Sequence, residues 1–277
     1  MKMKLSQKKV GQKTFDLPTE RNVPSDTLSD YSILLYGAKK IGKTSVASHF
    51  PDALFLATEP GTKALEVFSV DITSWGDFLG YIKTLETAPK KKFSTIVVDT
   101  VDLAYEICLQ SVCKKEGWEH PSDEKYGKGW KKISDAFRSA ILRLFHLPGS
   151  PGIIFISHDT EKEFEDREGN TFERIQPTMP KQALNVVEAL VDIIISYQYD
   201  GARRVAKICG DETIVAGCRL EHRFRTTSGE RITAIPMGSS PEQSFKNFIR
   251  AFENQQTTID GRKPVEEAPK KKMILKK

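Results

Sequence analysis

The octapeptide Gly37-Ala38-Lys39-Lys40-Ile41-Gly42-Lys43-Thr44 constrains this chain more than any other stretch, because it has the form G-x-x-x-x-G-K-[ST] of a phosphate-binding loop. Its flanks fit that reading. Ser32 to Tyr36 is a short apolar run of strand character, and Lys43 to Phe50 has helical character until Pro51 stops it. A strand, a glycine loop and a helix in that order bring backbone N–H groups and the positive end of a helix to one point, where phosphate oxygens bind. The expected ligand is a nucleoside triphosphate with Mg²⁺, held by the octapeptide and by Ser45 after it. Lys43 supplies charge at the β/γ phosphates, and the Thr44 hydroxyl supplies a ligand to the metal.

At 277 residues the chain can form one large α/β domain with a sizeable core, or two small ones. No apolar run approaches the roughly 18 residues a membrane-spanning helix needs, so no membrane partner is expected. The basic start MKMKLSQKKV is not followed by the apolar stretch of a secretory signal. Cys108, Cys113, Cys209 and Cys218 lack C-x-x-C spacing, and the first two are expected as small buried thiols. A reducing, cytoplasmic location is the expectation. Charge is unevenly placed. Residues 1–13 and 262–277 each carry +5 of a whole-chain +5, which leaves −5 on the body between them. Basic ends of this kind either contact nucleic acid or are simply solvated.

Residues 1–29 read as a flexible arm, 30–255 as one domain and 256–277 as a flexible tail. Within the domain, strands are expected at 53–58, 93–98, 152–157 and 191–197. Helices are expected at 63–67, 75–87, 103–116, 130–145, 182–190 and 242–252. Each strand is nearly continuously apolar, which predicts a mainly parallel sheet covered by helices on both faces. Polar extended stretches around the Arg167–Asn170 turn, and short runs at Val205 and Ile214 about a Gly210-Asp211 turn, predict antiparallel strands late in the chain.

Three strand ends carry chemistry. Ile96-Val97-Val98-Asp99 is an apolar strand ending in a carboxylate, expected beside the phosphate-loop strand with Asp99 at the metal. Glu59 closes the second strand on the edge where nucleotides bind, a position suited to polarising the attacking water. His158 closes the fourth strand at the same edge, where it can read the γ-phosphate. Asp102 is expected to cap or begin the following helix.

The runs GAKKIGKT, FLATEPG, TIVVDTVD, YGKGW and FISHDTE, in this order between Tyr31 and about Arg225, resemble RecA-like ATPases. More closely they resemble phage ATPases of the Sak annealing group, whose core is of RecA/RadA type. That resemblance implies ATP, Mg²⁺ and single-stranded DNA as ligands, and strand annealing or pairing in phage recombination or replication. It also implies catalytic roles for Lys43, Glu59 and His158, and a metal role for Thr44 and Asp99. In Ala216-Gly217-Cys218-Arg219 only the Arg of the late Lys/Arg pair is kept. Arg219 is therefore a candidate finger acting in trans, and a homo-oligomer is expected if it does so.

Aromatics interleaved with basic residues suggest nucleic-acid contacts at Lys128 and Trp130, and at Arg223 and Arg225. The alternatives are a helicase or helicase loader, and a nucleotide-gated adaptor for single-strand-binding protein or polymerase that does not hydrolyse.

Overall fold

The computed structural model describes residues 17–87 and 93–262. The basic stretch 1–13, all of the C-terminal tail beyond Arg262 and the charged turn Lys90–Lys92 fall outside them wholly or in large part. The chain runs β1 (Ile33–Gly37), α1 (Lys43–Ala47), β2 (Ala53–Ala57), β3 (Phe68–Asp71), α2 (Trp75–Thr87), β4 (Thr95–Asp99), α3 (Val101–Glu116) and α4 (Lys128–Phe145). It continues through β5 (Gly152–Glu165), β6 (Thr171–Pro177), α5 (Lys181–Leu190), β7 (Ile193–Asp200), β8 (Arg203–Lys207), β9 (Gly217–Cys218), β10 (Ala234–Pro236) and α6 (Pro241–Phe252).

The sheet order is β10-β8-β7-β1-β5-β4-β2-β3, with β6 paired to β5 and β9 to β7. The six strands from β7 to β3 are parallel, while β6, β8, β9 and β10 pair antiparallel. This is the expected α/β core with antiparallel strands added late. Alternation along each strand feeds two cores. Leu34, Ile96, Val98 and Phe155 face Phe78, Cys108, Phe137 and Val187 on one side. Ile33, Leu35, Val97 and Ile156 face Val46, Phe248 and Phe252 on the other. Both sides being apolar is why these strands lack a polar face.

Several expectations are corrected. The Asp99 strand does not lie beside the phosphate-loop strand, because β5 sits between them. Every central strand is equally apolar, so hydropathy does not rank their order. Asp99 is level with Ile156 and Gly37 with His158, so Asp99 reaches the loop across the end of β5. β5 does not stop at His158 but runs on to Glu165, forming a ribbon with β6. Residues 63–67 form no helix; Leu65 N donates to Thr62 O in a turn. Ile214 bridges Ile175 instead of forming a hairpin with Val205, which pairs with Gln198 of β7.

Residues on either side of 30–255 also make contacts. Leu28 and Ser29 are buried in a 3₁₀ turn. Gln256 and Ile259 accept backbone hydrogen bonds from Thr227, Thr233 and Ala234. Among the described residues no helix is long and apolar enough to cross a membrane.

Candidate active site

The C-terminal ends of β1, β4 and β2 and the middle of β5 converge on a cavity of about 560 Å³ lined by Lys39 to Ser45 (save Ile41), Glu59, Asp99, Asp102 and His158. The loop bends at Gly42, whose φ of 110° lies in the region that favours glycine, and α1 starts directly after it. Gly37, Ala38, Lys39, Lys40 and Ile41 complete the loop, with Ile41 buried as its anchor in the second core.

Lys43 is 5% exposed. Its Nζ donates to Gly37 O at 2.6 Å and Ala38 O at 2.9 Å, and lies 3.3 Å from His158 Nδ1. Burial lowers its pKa, while Asp159, Asp99, Asp102 and Glu59 oppose that shift. The ammonium is therefore desolvated but surrounded by carboxylates, the setting in which it interacts strongly with phosphate.

Thr44 Oγ1 donates to Asp99 Oδ2 at 2.7 Å. Asp99 is 4% exposed, and burial raises its pKa, with Glu59 adding to the rise and Thr44 and Lys43 opposing it. Among the described residues no cluster of three or more His, Cys, Asp or Glu could hold a metal by itself. One carboxylate beside one hydroxyl, both hard oxygen donors, fits Mg²⁺ that arrives with a triphosphate and keeps water in its shell.

Glu59 and His158 meet opposite the loop. His158 Nε2 is 3.3 Å from Glu59 Oε1, which also accepts from Thr100 Oγ1 at 3.1 Å. The β2 and β4 ends are cross-tied, with Thr100 N donating to Thr58 Oγ1 and Thr58 N to Asp99 O. The Asp99–Thr100 peptide is cis. Thr100 was absent from the sequence reading; a hydroxyl directly after the strand-end carboxylate was the available signal. Asp102 begins α3, in its first turn, rather than capping it, the N-cap being Thr100. It accepts instead from Ser157 and Thr178.

The remaining predicted residues lie elsewhere. Arg219 is at the opposite end of the sheet, where Cys218 pairs with the first residue of β7, and its guanidinium donates to Ala189 O at the end of α5. Arg223 pairs with Asp26 and stacks on Phe252, and Arg225 donates to Glu221 O and Gly229 O. Both arginines are engaged within the fold. Lys128 is exposed at the start of α4, and half-buried Trp130 meets the His120 ring edge-on.

Residues 29–220 match the AAA domain family AAA_24. The chain belongs to that family. It is an AAA-domain P-loop ATPase. The chain is also similar, at 28% identity over 229 residues, to the "SPbeta prophage-derived uncharacterized protein YorG" of Bacillus subtilis (strain 168), covering 81% of this chain and 67% of that one. Among solved structures it is similar to the RadB recombinase, with a TM-score of 0.37 at 14% identity over 65% of this chain and 80% of that one. The KaiC-like protein PH0186 from Pyrococcus horikoshii OT3 gives a TM-score of 0.38 at 13% identity, over 65% and 78% of the two chains.

Proposed function

We propose that this ATPase is RecA-like and acts on single-stranded DNA, in strand annealing or pairing of the Sak type. Lys43 neutralises the β/γ phosphates, Thr44 and Asp99 hold Mg²⁺, Glu59 orients and deprotonates the attacking water, and His158 reads the γ-phosphate. Bound Mg²⁺ supplies charge stabilisation at the phosphoryl oxygens.

One observation carries the DNA reading. Tyr126 is 94% exposed and held at φ 60° in the loop between α3 and α4, flanked by Lys125 and Lys128. A bulky residue in that conformation is unfavourable, and no burial offsets it here. An open aromatic face between two lysines suits a base stacked over a tracked phosphate backbone. Trp130, Lys131, Arg138, Gln182 and Asn185, with Asp135 paired to Lys131, line a cavity of about 360 Å³ between α4 and α5. The homo-oligomer expected through Arg219 requires that guanidinium to leave the α5 carbonyls.

The test is anisotropy of a labelled oligo-dT with the full chain, with and without a non-hydrolysable ATP analogue, across salt. Tyr126→Ala is expected to weaken binding by about 1–3 kcal/mol, the worth of one stacked base. Absence of binding in every nucleotide state, or equal binding by the variant, refutes the reading. Unwinding that depends on hydrolysis would instead identify a helicase.

A further inference from the structure

The β5–β6 ribbon leaves the sheet at His158, directly above the phosphate site. Its base is closed by Thr178 N, which donates to His158 O at 2.9 Å. Asp102 lies under this closure. Its Oδ1 accepts from Ser157 Oγ at 2.9 Å on the outgoing strand and from Thr178 Oγ1 at 2.5 Å just past the returning one. Its Oδ2 is buried without a hydrogen-bond partner, and the residue lines the same cavity as Lys43, Glu59 and Asp99. Three residues earlier Asp99 holds Thr44, and two residues earlier Thr100 holds Glu59. One short corner, residues 99–102, therefore grips the phosphate loop, the candidate base and the ribbon.

We propose that Asp102 is a positioning residue that fixes His158 against the phosphate loop and makes the β5–β6 ribbon respond to the nucleotide. A carboxylate oxygen accepting from both strands of the ribbon base leaves the ribbon little freedom to tilt without moving α3. Since β5 is one continuous strand from Gly152 to Glu165, a displacement at His158 is carried seven residues outward, roughly 23 Å, to the Asp166–Asn170 turn. The inference rests on His158 reading the γ-phosphate and not on DNA binding, so its test contains no DNA.

Arg167 is exposed in that turn and offers a readout. Trypsin cleavage after Arg167 in the full chain is followed by mass spectrometry, with and without Mg²⁺ and a non-hydrolysable ATP analogue, beside ATP turnover. In wild type the nucleotide should change the cleavage rate. Asp102→Ala should abolish that change and lower kcat by about 10- to 100-fold, the cost of misplacing a reacting group, at an unchanged KM. Asp102→Asn keeps an acceptor oxygen for both hydroxyls and should restore both properties.

A residue that merely supports the fold would lower the melting temperature and leave the nucleotide response intact. That result overturns the proposal, as does a wild-type ribbon indifferent to nucleotide. If Asp102→Ala does not fold, Thr178→Val removes one of the two ties, and a retained response there overturns it equally. His158→Ala should lose the response as Asp102→Ala does; keeping it would refute the route through His158.

Discussion

Replacing Glu59 by Gln should remove a base while leaving the surrounding contacts in place. Glu59 Oε1 accepts from Thr100 Oγ1 at 3.1 Å and faces His158 Nε2 at 3.3 Å, and a Gln carbonyl oxygen can occupy the same position. The side chain is 34% exposed, so the folded state should change by no more than about 0.5 kcal/mol. It makes no hydrogen bond to the phosphate loop, so ATP affinity should be nearly preserved. The Glu59 charge is also one cause of the raised Asp99 pKa. Neutralising it eases ionisation of Asp99, and Mg²⁺ affinity should rise slightly.

The loss falls on the chemical step. General-base help is worth about 10²- to 10⁴-fold, so kcat should fall by that factor, a barrier raised by about 3–5 kcal/mol. Single-turnover phosphate release, beside nucleotide affinity from a fluorescent analogue, separates the two effects. A variant whose kcat stays within about threefold of wild type, far inside that range, would refute the assignment. So would a loss that appears entirely in KM.

Three further outcomes follow from the same geometry. Burial raises the pKa of Asp99 and of Asp102 above the ordinary 3.8, so the folded state binds those protons more tightly than the unfolded chain. Their stabilising contribution is thus fully present below the unfolded pKa and is lost as pH rises through the folded one. Nucleotide-free Asp99→Asn should therefore melt above wild type at pH 7, converge with it at acid pH and lose Mg²⁺-dependent turnover; equal melting at pH 7 would contradict the sign.

Gly37→Ala would drive a Cβ into the Tyr197 carbonyl on the neighbouring strand, and urea denaturation should show a loss of at least about 2–3 kcal/mol. Arg223→Ala removes the Asp26 pair and the contact 4.7 Å over Phe252, costing about 1 kcal/mol of stability, with DNA affinity unchanged. A fall in that affinity would return this strip of arginines to the nucleic-acid surface.

What the sequence made legible was whatever a local pattern encodes. In a parallel sheet all strand ends of one polarity share an edge, so Glu59, Asp99 and His158 could be assigned to one site without knowing the strand order. The order itself was hidden because β1, β2 and β4, and β5 up to Ser157, are buried along their length, and nothing in them says which lies innermost. That Asp102 begins a helix was legible because helix starts follow a local rule, whereas its partners Ser157 and Thr178 are 55 and 76 residues away. Arg219 and Arg225 resembled free cations because their acceptors are main-chain carbonyls, to which charge patterning is blind. Tyr126 was visible as one aromatic among lysines, but its exposure belongs to the loop's backbone.

Charge separates the ribbon beside the phosphate site from the α3–α4 loop at the far end of α3. Residues 159–177, the ribbon, carry seven acids against three bases, and Glu163 stands directly across from Glu173. Such a surface repels a polyanion, so single-stranded DNA, on the proposed reading, approaches at the α3–α4 loop and not at the ribbon. α3 joins that loop to the chemistry. The helix is capped by Thr100, which holds Glu59, and its last residue, Glu116, pairs with Lys132 of α4 at 2.5 Å. Sixteen residues of helix make a rod of about 24 Å, packed on its inner face by Ala104, Tyr105, Cys108 and Val112. A base stacked on Tyr126 would press on one end of a rod whose other end carries the Thr100 hydroxyl. On the two proposals together, DNA at that loop acts on Glu59 through α3, whereas the nucleotide acts on the ribbon through Asp102.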